Sequence, residues 1–93
     1  MALYFEWDPA KAKKNIGKHG VSFAEAVTVF ADELGTTYPD PDHSMDEERY
    51  LTFGVSGEGR FLVVVNADRE VKIRIISARE MTRGERRYYE ENE

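Results

Sequence analysis

The chain has 93 residues, enough for one domain but not for two. Its apolar and charged fractions are ordinary, and it has no cysteine, which excludes disulfides, thiolate metal sites and cysteine nucleophiles. A formal net charge of −5 argues against a general binder of polyanions. We therefore expect a single domain over residues 1–93.

The N-terminal part of the chain predicts a strand followed by two helices. Residues 2–7 are mostly apolar or aromatic and predict a short strand. Asp8 as N-cap and Pro9 at the first helical position begin a helix, which Gly20 can end in a left-handed conformation. Ser22 and Glu25 have the capping-box spacing, and apolar residues at helical spacing follow them. This pattern predicts a short second helix with one apolar face.

The middle of the chain predicts a loop and then a hairpin. Residues 36–44 contain two prolines and several turn-forming residues, so we expect a loop there, entered at most by a short strand. Apolar residues alternate over residues 50–55 and run almost unbroken over residues 61–65. The segment 56–59 between them has the composition of a turn, which predicts two paired strands.

The last third predicts one more strand and a closing helix. A turn at residues 67–70 leads to a strand at residues 71–77, in which odd positions share one face and even positions, including Arg74, share the other. Thr82 and Glu85 repeat the capping-box spacing and begin a helix. The expected class is therefore α+β: an N-terminal strand, two helices, an antiparallel β-meander and a C-terminal helix. We expect the helices on one face of the sheet, with part of the other face open.

Charge is distributed unevenly along the chain. Residues 32–48 include seven acidic residues and no basic one, whereas residues 60–87 include eight basic residues and four acidic ones. Solvated faces explain most such charges, but an asymmetric surface for a partner is the alternative. No apolar stretch reaches the roughly 18–20 residues that cross a bilayer. Because Glu6 and Asp8 interrupt the N-terminal apolar residues, we expect no signal peptide and a cytoplasmic protein.

Arg74 and Arg79 are the first candidates for function. β-branched neighbours make the backbone around Arg74 rigid, and Arg79 lies where the strand gives way to a turn. Two rigidly held guanidinium groups suit phosphate recognition and stabilisation of a phosphorane-like transition state. The alternative is that both only pair with nearby glutamates. The spacing alone favours neither interpretation.

Histidines and carboxylates are the candidates for proton transfer. His43 and Glu48 lie five residues apart and could act as acid and base near a phosphate, although a lone loop histidine is more often a bystander. His19 in the last turn of a helix has a simpler role beside the helix carbonyls. The spacing of these groups matches no metal site, so we expect no metal and no cofactor. RNA cleavage needs none, because the 2′-hydroxyl is its own nucleophile.

Motifs spread over about residues 5–91 resemble one family. In chain order they are Phe5-Glu6-Trp7-Asp8, Asn15, Lys18-His19-Gly20-Val21-Ser22-Phe23, Glu25-Ala26, Val29-Phe30, His43-Ser44, Glu48-Arg49, Gly54, Ile73-Arg74-Ile75-Ile76-Ser77-Ala78-Arg79 and Glu85-Arg86-Arg87-Tyr88-Tyr89-Glu90. Together they resemble the BrnT-type toxins of type II toxin–antitoxin systems.

This resemblance implies a RelE-like fold and a metal-independent endoribonuclease that stops translation. It implies a BrnA-type antitoxin as protein partner, with operator DNA contacted only indirectly through the DNA-binding domain of that antitoxin. The implied catalytic residues are Arg74, Arg79, His43 and Glu48. The implied substrate-binding residues are Arg49, Lys18 and His19. The resemblance assigns no general base.

Two other functions stay open. The chain could be an inactive module that binds an antitoxin and tunes repression, or a stand-alone nucleic-acid binder. The net charge of −5 is unusual for a ribonuclease toxin, and Met81 stands where a more basic or smaller residue is expected. Either departure fits weakened activity, and an acidic loop that binds a basic antitoxin segment would also explain the charge.

Overall fold

A computed structural model describes residues 3–40 and 48–92. Its elements in chain order are β1 (Tyr4–Glu6), α1 (Pro9–His19), α2 (Phe23–Thr28), a 3-10 turn (Val29–Ala31), β2 (Thr36–Pro39), β3 (Arg49–Val55), β4 (Phe61–Arg69), β5 (Lys72–Glu80) and α3 (Arg83–Glu91). The strands form one sheet in the order β1-β5-β4-β3-β2. β1 is parallel to β5, and the other neighbours are antiparallel. The expected mixed α+β class is confirmed.

Local signals set the limits of the first two helices. The Asp8 side chain accepts a hydrogen bond from the Ala10 N–H at 2.8 Å, and Gly20 ends α1 with φ of 69°. Ser22 caps α2 by accepting from the Glu25 N–H at 3.0 Å. The second hydrogen bond of the expected capping box, from the Ser22 N–H to the Glu25 carboxylate, is absent. The Glu25 carboxylate instead accepts from the Ser56 hydroxyl and the Arg60 guanidinium, a tertiary contact that sequence spacing does not reveal.

The main core lies between the sheet and the first two helices. Its fully buried members include Phe23, Val29, Leu62 and Ile75. We call the side of the sheet that packs against α1 and α2 the helix face, and the other side the open face. Side chains alternate along each strand, so Leu62 and Val64 of β4 lie on the helix face, whereas Val63 and Val65 lie on the open face.

A buried asparagine fastens α1 to β5. The amide nitrogen of Asn15 donates to the carbonyl oxygens of Val21 at 2.9 Å and Ala78 at 2.8 Å. Its carbonyl oxygen accepts from the Ala78 N–H at 3.2 Å. Asn15 is only 6% exposed, so these bonds satisfy a polar side chain that would be costly to bury alone.

The last helix packs on the other side of the sheet from the first two. The Tyr89 ring of α3 meets the Phe61 ring edge-on at 6.0 Å, and the strand alternation puts Phe61 on the open face. The Tyr89 hydroxyl donates to Asp32 at 2.6 Å, and Asp32 also accepts from the Val55 N–H. The expectation that all helices share one face is therefore wrong for α3. The apolar side of α3 packs against Phe61 and not against the core under α1.

Strand β5 contains one extra residue relative to β4. Val65 is opposite Ser77, but the next residue, Asn66, is opposite Ile75. Ile76 is therefore a β-bulge, which reverses the alternation on its N-terminal side. Arg74 consequently shares the open face with Arg79, although the two are an odd number of residues apart.

The hairpin between β4 and β5 differs from expectation. The turn expected at residues 67–70 is tighter, because β4 continues to Arg69 and Arg69 pairs with Lys72. Glu70 takes a positive φ of 56° in the two-residue turn, and Val71 is 79% exposed rather than part of the strand. The segment expected as a loop over residues 36–44 begins with the short strand that the sequence allowed there, β2, which pairs with β3 along its whole length. In the described ranges, none of the helices has the length and apolar character to span a membrane.

Gly54 is required where β3 passes closest to the 3-10 turn. A Cβ on Gly54 would lie 2.9 Å from Cγ1 of Val29 and 3.2 Å from a carboxylate oxygen of Asp32. Gly54→Ala should therefore lower the free energy of unfolding by about 1–3 kcal/mol. The matched control is Gly17→Ala within α1, which meets no atom within 4 Å and should add up to about 1 kcal/mol. Urea unfolding of both variants tests this, and equal effects would contradict it.

Candidate functional site

A row of four side chains, three of them charged, runs across the open face from β1 to β3. Glu6 of β1 is in register with Arg74 of β5, Arg74 with Ala67 of β4, and Ala67 with Arg49 of β3. Residues in register on neighbouring strands point to the same side of the sheet. Ala67 is fully buried between the two arginines, and its small side chain leaves room for both of them on this face.

Arg74 is held by a carboxylate on the same face. Its Nη1 lies 3.2 Å from Oε2 of Glu6, and both side chains are about one-third exposed, at 28% and 31%. Glu6 is not among the site residues predicted from the sequence. Its position depends on the parallel pairing of β1 with β5, which joins residues 68 positions apart. Glu6 does lie in a motif of the family resemblance, and that was the only signal for it.

Arg79 lies further along the same face and is held by α3. Its two terminal nitrogens contact the two carboxylate oxygens of Glu85 at 2.7 Å and 2.9 Å, a bidentate pair. Glu85 also accepts from the Thr82 N–H at 2.8 Å, which completes the expected capping box at the start of α3. One carboxylate therefore both starts the helix and fixes the guanidinium.

This ion pair shifts the protonation equilibria of both partners. The hydrogen bond from Arg79 lowers the pKa of Glu85 to about 2, although burial alone would raise it. The same hydrogen bond raises the pKa of Arg79. Both groups are therefore charged at neutral pH, and Arg79 presents its remaining donors in a fixed plane.

Two more cations lie at the end of this face. Lys72 and Arg69 are in register across the hairpin and occupy the same side of the sheet as Arg74. With Arg49, Arg74 and Arg79 they place five cationic side chains on the open face of a chain whose net charge is negative. We call these five residues the cationic group.

The other residues expected in the site lie elsewhere. Lys18 and His19 end α1 and are on the helix-face side, so the sheet separates them from Arg74. Glu48 accepts a hydrogen bond from the Tyr50 hydroxyl at 2.7 Å, and this bond raises the pKa of Tyr50. Tyr50 is in register with Asn66 on the helix face, which takes Glu48 away from the cationic group. His43 lies outside the described residues.

The structure brings together only part of the expected site. Arg49, Arg74 and Arg79 share one surface, as a phosphate-binding role requires. Over residues 3–40 and 48–92, no group of three or more histidine and carboxylate side chains is arranged to hold a metal ion.

Comparison with known proteins gives a single consistent family. A family model described as the ribonuclease toxin BrnT of type II toxin–antitoxin systems matches residues 7–85. A crystal structure of the ribonuclease toxin BrnT from Brucella abortus matches with a TM-score of 0.69 and 21% sequence identity. The match covers 88% of this chain and 100% of that one, and at this identity it shows a shared fold. No curated protein sequence matches the chain.

The pair between Arg79 and Glu85 predicts a specific loss of stability in acid. A carboxylate whose pKa is about 2 when folded, against roughly 4.3 when unfolded, stabilises the protein fully above about pH 5. That stabilisation disappears as the pH falls toward 2. Glu85→Gln, which keeps the side-chain length and a capping oxygen, should be less stable than the wild type at pH 7.

The difference between the two proteins should shrink steadily as the pH is lowered through this range. Urea unfolding from about pH 7 to pH 2.5 measures it. A difference that stays constant with pH would mean that the ion pair contributes nothing to stability.

Proposed function

The chain belongs to the BrnT family of ribonuclease toxins of type II toxin–antitoxin systems, and on this basis we propose that its open face binds and cleaves RNA. The observation that supports this most directly is the convergence of Arg49, Arg74 and Arg79 on one side of the sheet. A regular strand would have put Arg74 and Arg79 on opposite sides. The bulge at Ile76 creates a surface on which both can contact one RNA backbone.

The cleavage step uses the nucleophile that RNA carries. The 2′-oxygen loses its proton and bonds to the adjacent phosphorus, the bond from phosphorus to the 5′-oxygen breaks, and that oxygen leaves with a proton. The products are a 2′,3′-cyclic phosphate and a 5′-hydroxyl. Arg74 and Arg79 stabilise the negative charge that develops on the phosphoryl oxygens, so the reaction proceeds without a metal.

Glu6 is our candidate for the group that takes the 2′-proton. It is the carboxylate in contact with Arg74, it lies on the same face, and it is close enough to solvent to exchange a proton. Glu48, proposed from the resemblance, is bound to Tyr50 on the helix face, which makes Glu6 the better placed of the two. His43, proposed on the same basis, is the candidate donor to the leaving oxygen.

The remaining residues act in binding rather than in chemistry. Arg49, Lys72 and Arg69 extend the cationic surface along the RNA backbone. Lys18 and His19, on the other side of the sheet, can only steer RNA toward the protein. We further propose that the fold is RelE-like, that RNA cleavage stops translation, that the partner is a BrnA-like antitoxin, and that operator DNA is contacted only through it.

One observation favours a second candidate function. Arg74 and Arg79 are both held in ion pairs, with Glu6 and Glu85, and the chain carries a net charge of −5. These features fit a catalytically weak module that binds an antitoxin and tunes repression. Expression of the chain alone in a bacterial host separates the two functions, because the inactive module leaves growth and RNA intact.

The double variant Arg74→Ala, Arg79→Ala tests the phosphate-binding role. We expect it to lose at least about a hundredfold in RNA cleavage and to abolish growth arrest, because each guanidinium stabilises the transition state. The matched control is Arg87→Ala, an exposed arginine of α3, which should cleave RNA like the wild type. Circular dichroism shows whether both variants fold. Full activity in the folded double variant would refute the mechanism.

The role of Glu6 has a separate signature in two substitutions. Glu6→Gln keeps a hydrogen-bond acceptor for Arg74 but cannot take a proton, so its cleavage rate should fall by at least about a hundredfold. Glu6→Asp keeps a carboxylate and should retain more of the cleavage rate than Glu6→Gln. A folded Glu6→Gln variant that cleaves RNA at the wild-type rate would show that Glu6 only positions Arg74.

A further inference from the structure

An apolar groove lies on the open face between α3 and the β2–β3 hairpin. It has a volume of about 450 Å³. The residues that line it are Leu34, Thr36, Tyr38, Leu51, Phe53, Gly84, Glu85, Tyr88, Tyr89 and Asn92. The register of β2 on β3 gives one wall, since Tyr38 is opposite Leu51 and Thr36 opposite Phe53. One side of α3 gives the other wall.

The groove concentrates apolar side chains that remain exposed to solvent. Leu34 is 56% exposed, Tyr38 is 43% exposed and Tyr88 is 60% exposed. The ring of Tyr38 stands edge-on to the ring of Phe53 at 5.8 Å, which holds the hairpin wall in shape. A preformed, contiguous apolar surface of this kind marks an interaction site in a soluble domain.

The composition of the groove favours a protein over RNA. None of the residues that line it is a lysine or an arginine, and its one charged side chain, Glu85, already pairs with Arg79, a member of the cationic group. The chain also carries a formal net charge of −5. Away from the cationic group a phosphate backbone is therefore repelled, whereas a basic protein segment is attracted.

The edge of the sheet decides how such a segment binds. β2 is an edge strand, and Pro39 within it has no N–H to donate to an added strand. Pairing along this edge is therefore short at best. A helix that inserts apolar side chains between the two walls avoids that problem, because it needs no backbone partner.

We propose that the groove is a docking site for the antitoxin partner, through an amphipathic helix with an apolar stripe and lysine or arginine on its flanks. The family is defined by a toxin–antitoxin pairing, so such a protein partner exists for this chain. This inference goes beyond RNA cleavage and does not require it, because docking depends on the groove and not on the catalytic arginines.

Leu34→Glu and Tyr88→Glu test the proposal. Both residues are more than half exposed, so the domain should stay folded, and both changes place a charge in the apolar groove. The probe is the purified antitoxin of the toxin–antitoxin pair, and calorimetry measures its dissociation constant. Each variant should bind at least about tenfold more weakly than the wild type. The matched control is Ile16→Glu, a residue of α1 that is 52% exposed on the other side of the sheet, and it should bind normally.

Three results would overturn the proposal. The first is wild-type affinity in folded Leu34→Glu and Tyr88→Glu variants. The second is that the wild-type chain self-associates in sedimentation, and that Tyr88→Glu abolishes this self-association but leaves antitoxin binding normal. The groove would then be the contact between two copies of the chain. The third is weakened binding of uncleavable RNA by these variants with antitoxin binding unchanged. Loss of RNA cleavage in the Arg74→Ala, Arg79→Ala variant leaves all these binding measurements interpretable.

Discussion

The one-residue bulge at Ile76 is the constraint on which the functional surface depends. It shifts the register between β4 and β5, so that side chains on its N-terminal side change faces. Ile75 and Ala78 can then both enter the core under the helices, while Arg74 and Arg79 both remain on the open face. The one extra residue in β5 therefore allows both the packing of the core and the placement of the two arginines on one face.

The second constraint is the position of α3 on the open face. Tyr89 fastens the helix to Asp32 and Phe61, and Glu85 fastens it to Arg79. Glu6 and Arg74 remain about one-third exposed, and the helix forms one wall of the apolar groove. Because Glu85 belongs both to that wall and to the ion pair, a partner that fills the groove would lie directly beside Arg79. Docking and RNA access would then compete for neighbouring parts of one surface.

Local features could be predicted from the sequence, and long-range pairings could not. The caps at Asp8, Gly20 and Thr82 act over three or four residues, so their patterns correctly located helix ends. The parallel pairing of β1 with β5 and the bulge have no local signature, and both were missed. For the same reason Glu6 was not recognised beside Arg74, and the sequence did not show that Arg74 and Arg79 share a face. The strand pattern and the resemblance both selected the two arginines, but only the register places them on the same side of the sheet.

An NMR titration shows which face of the sheet binds RNA. The Nε–H signals of individual arginines can be followed during titration with a 2′-O-methyl RNA, which cannot be cleaved. If the open face binds RNA, the signals of Arg49, Arg74 and Arg79 should shift together. The signal of Arg60, which is bound to Glu25 beside the first two helices, should stay in place. A shift of the Arg60 signal with no change at Arg74 and Arg79 would show that RNA does not bind the open face.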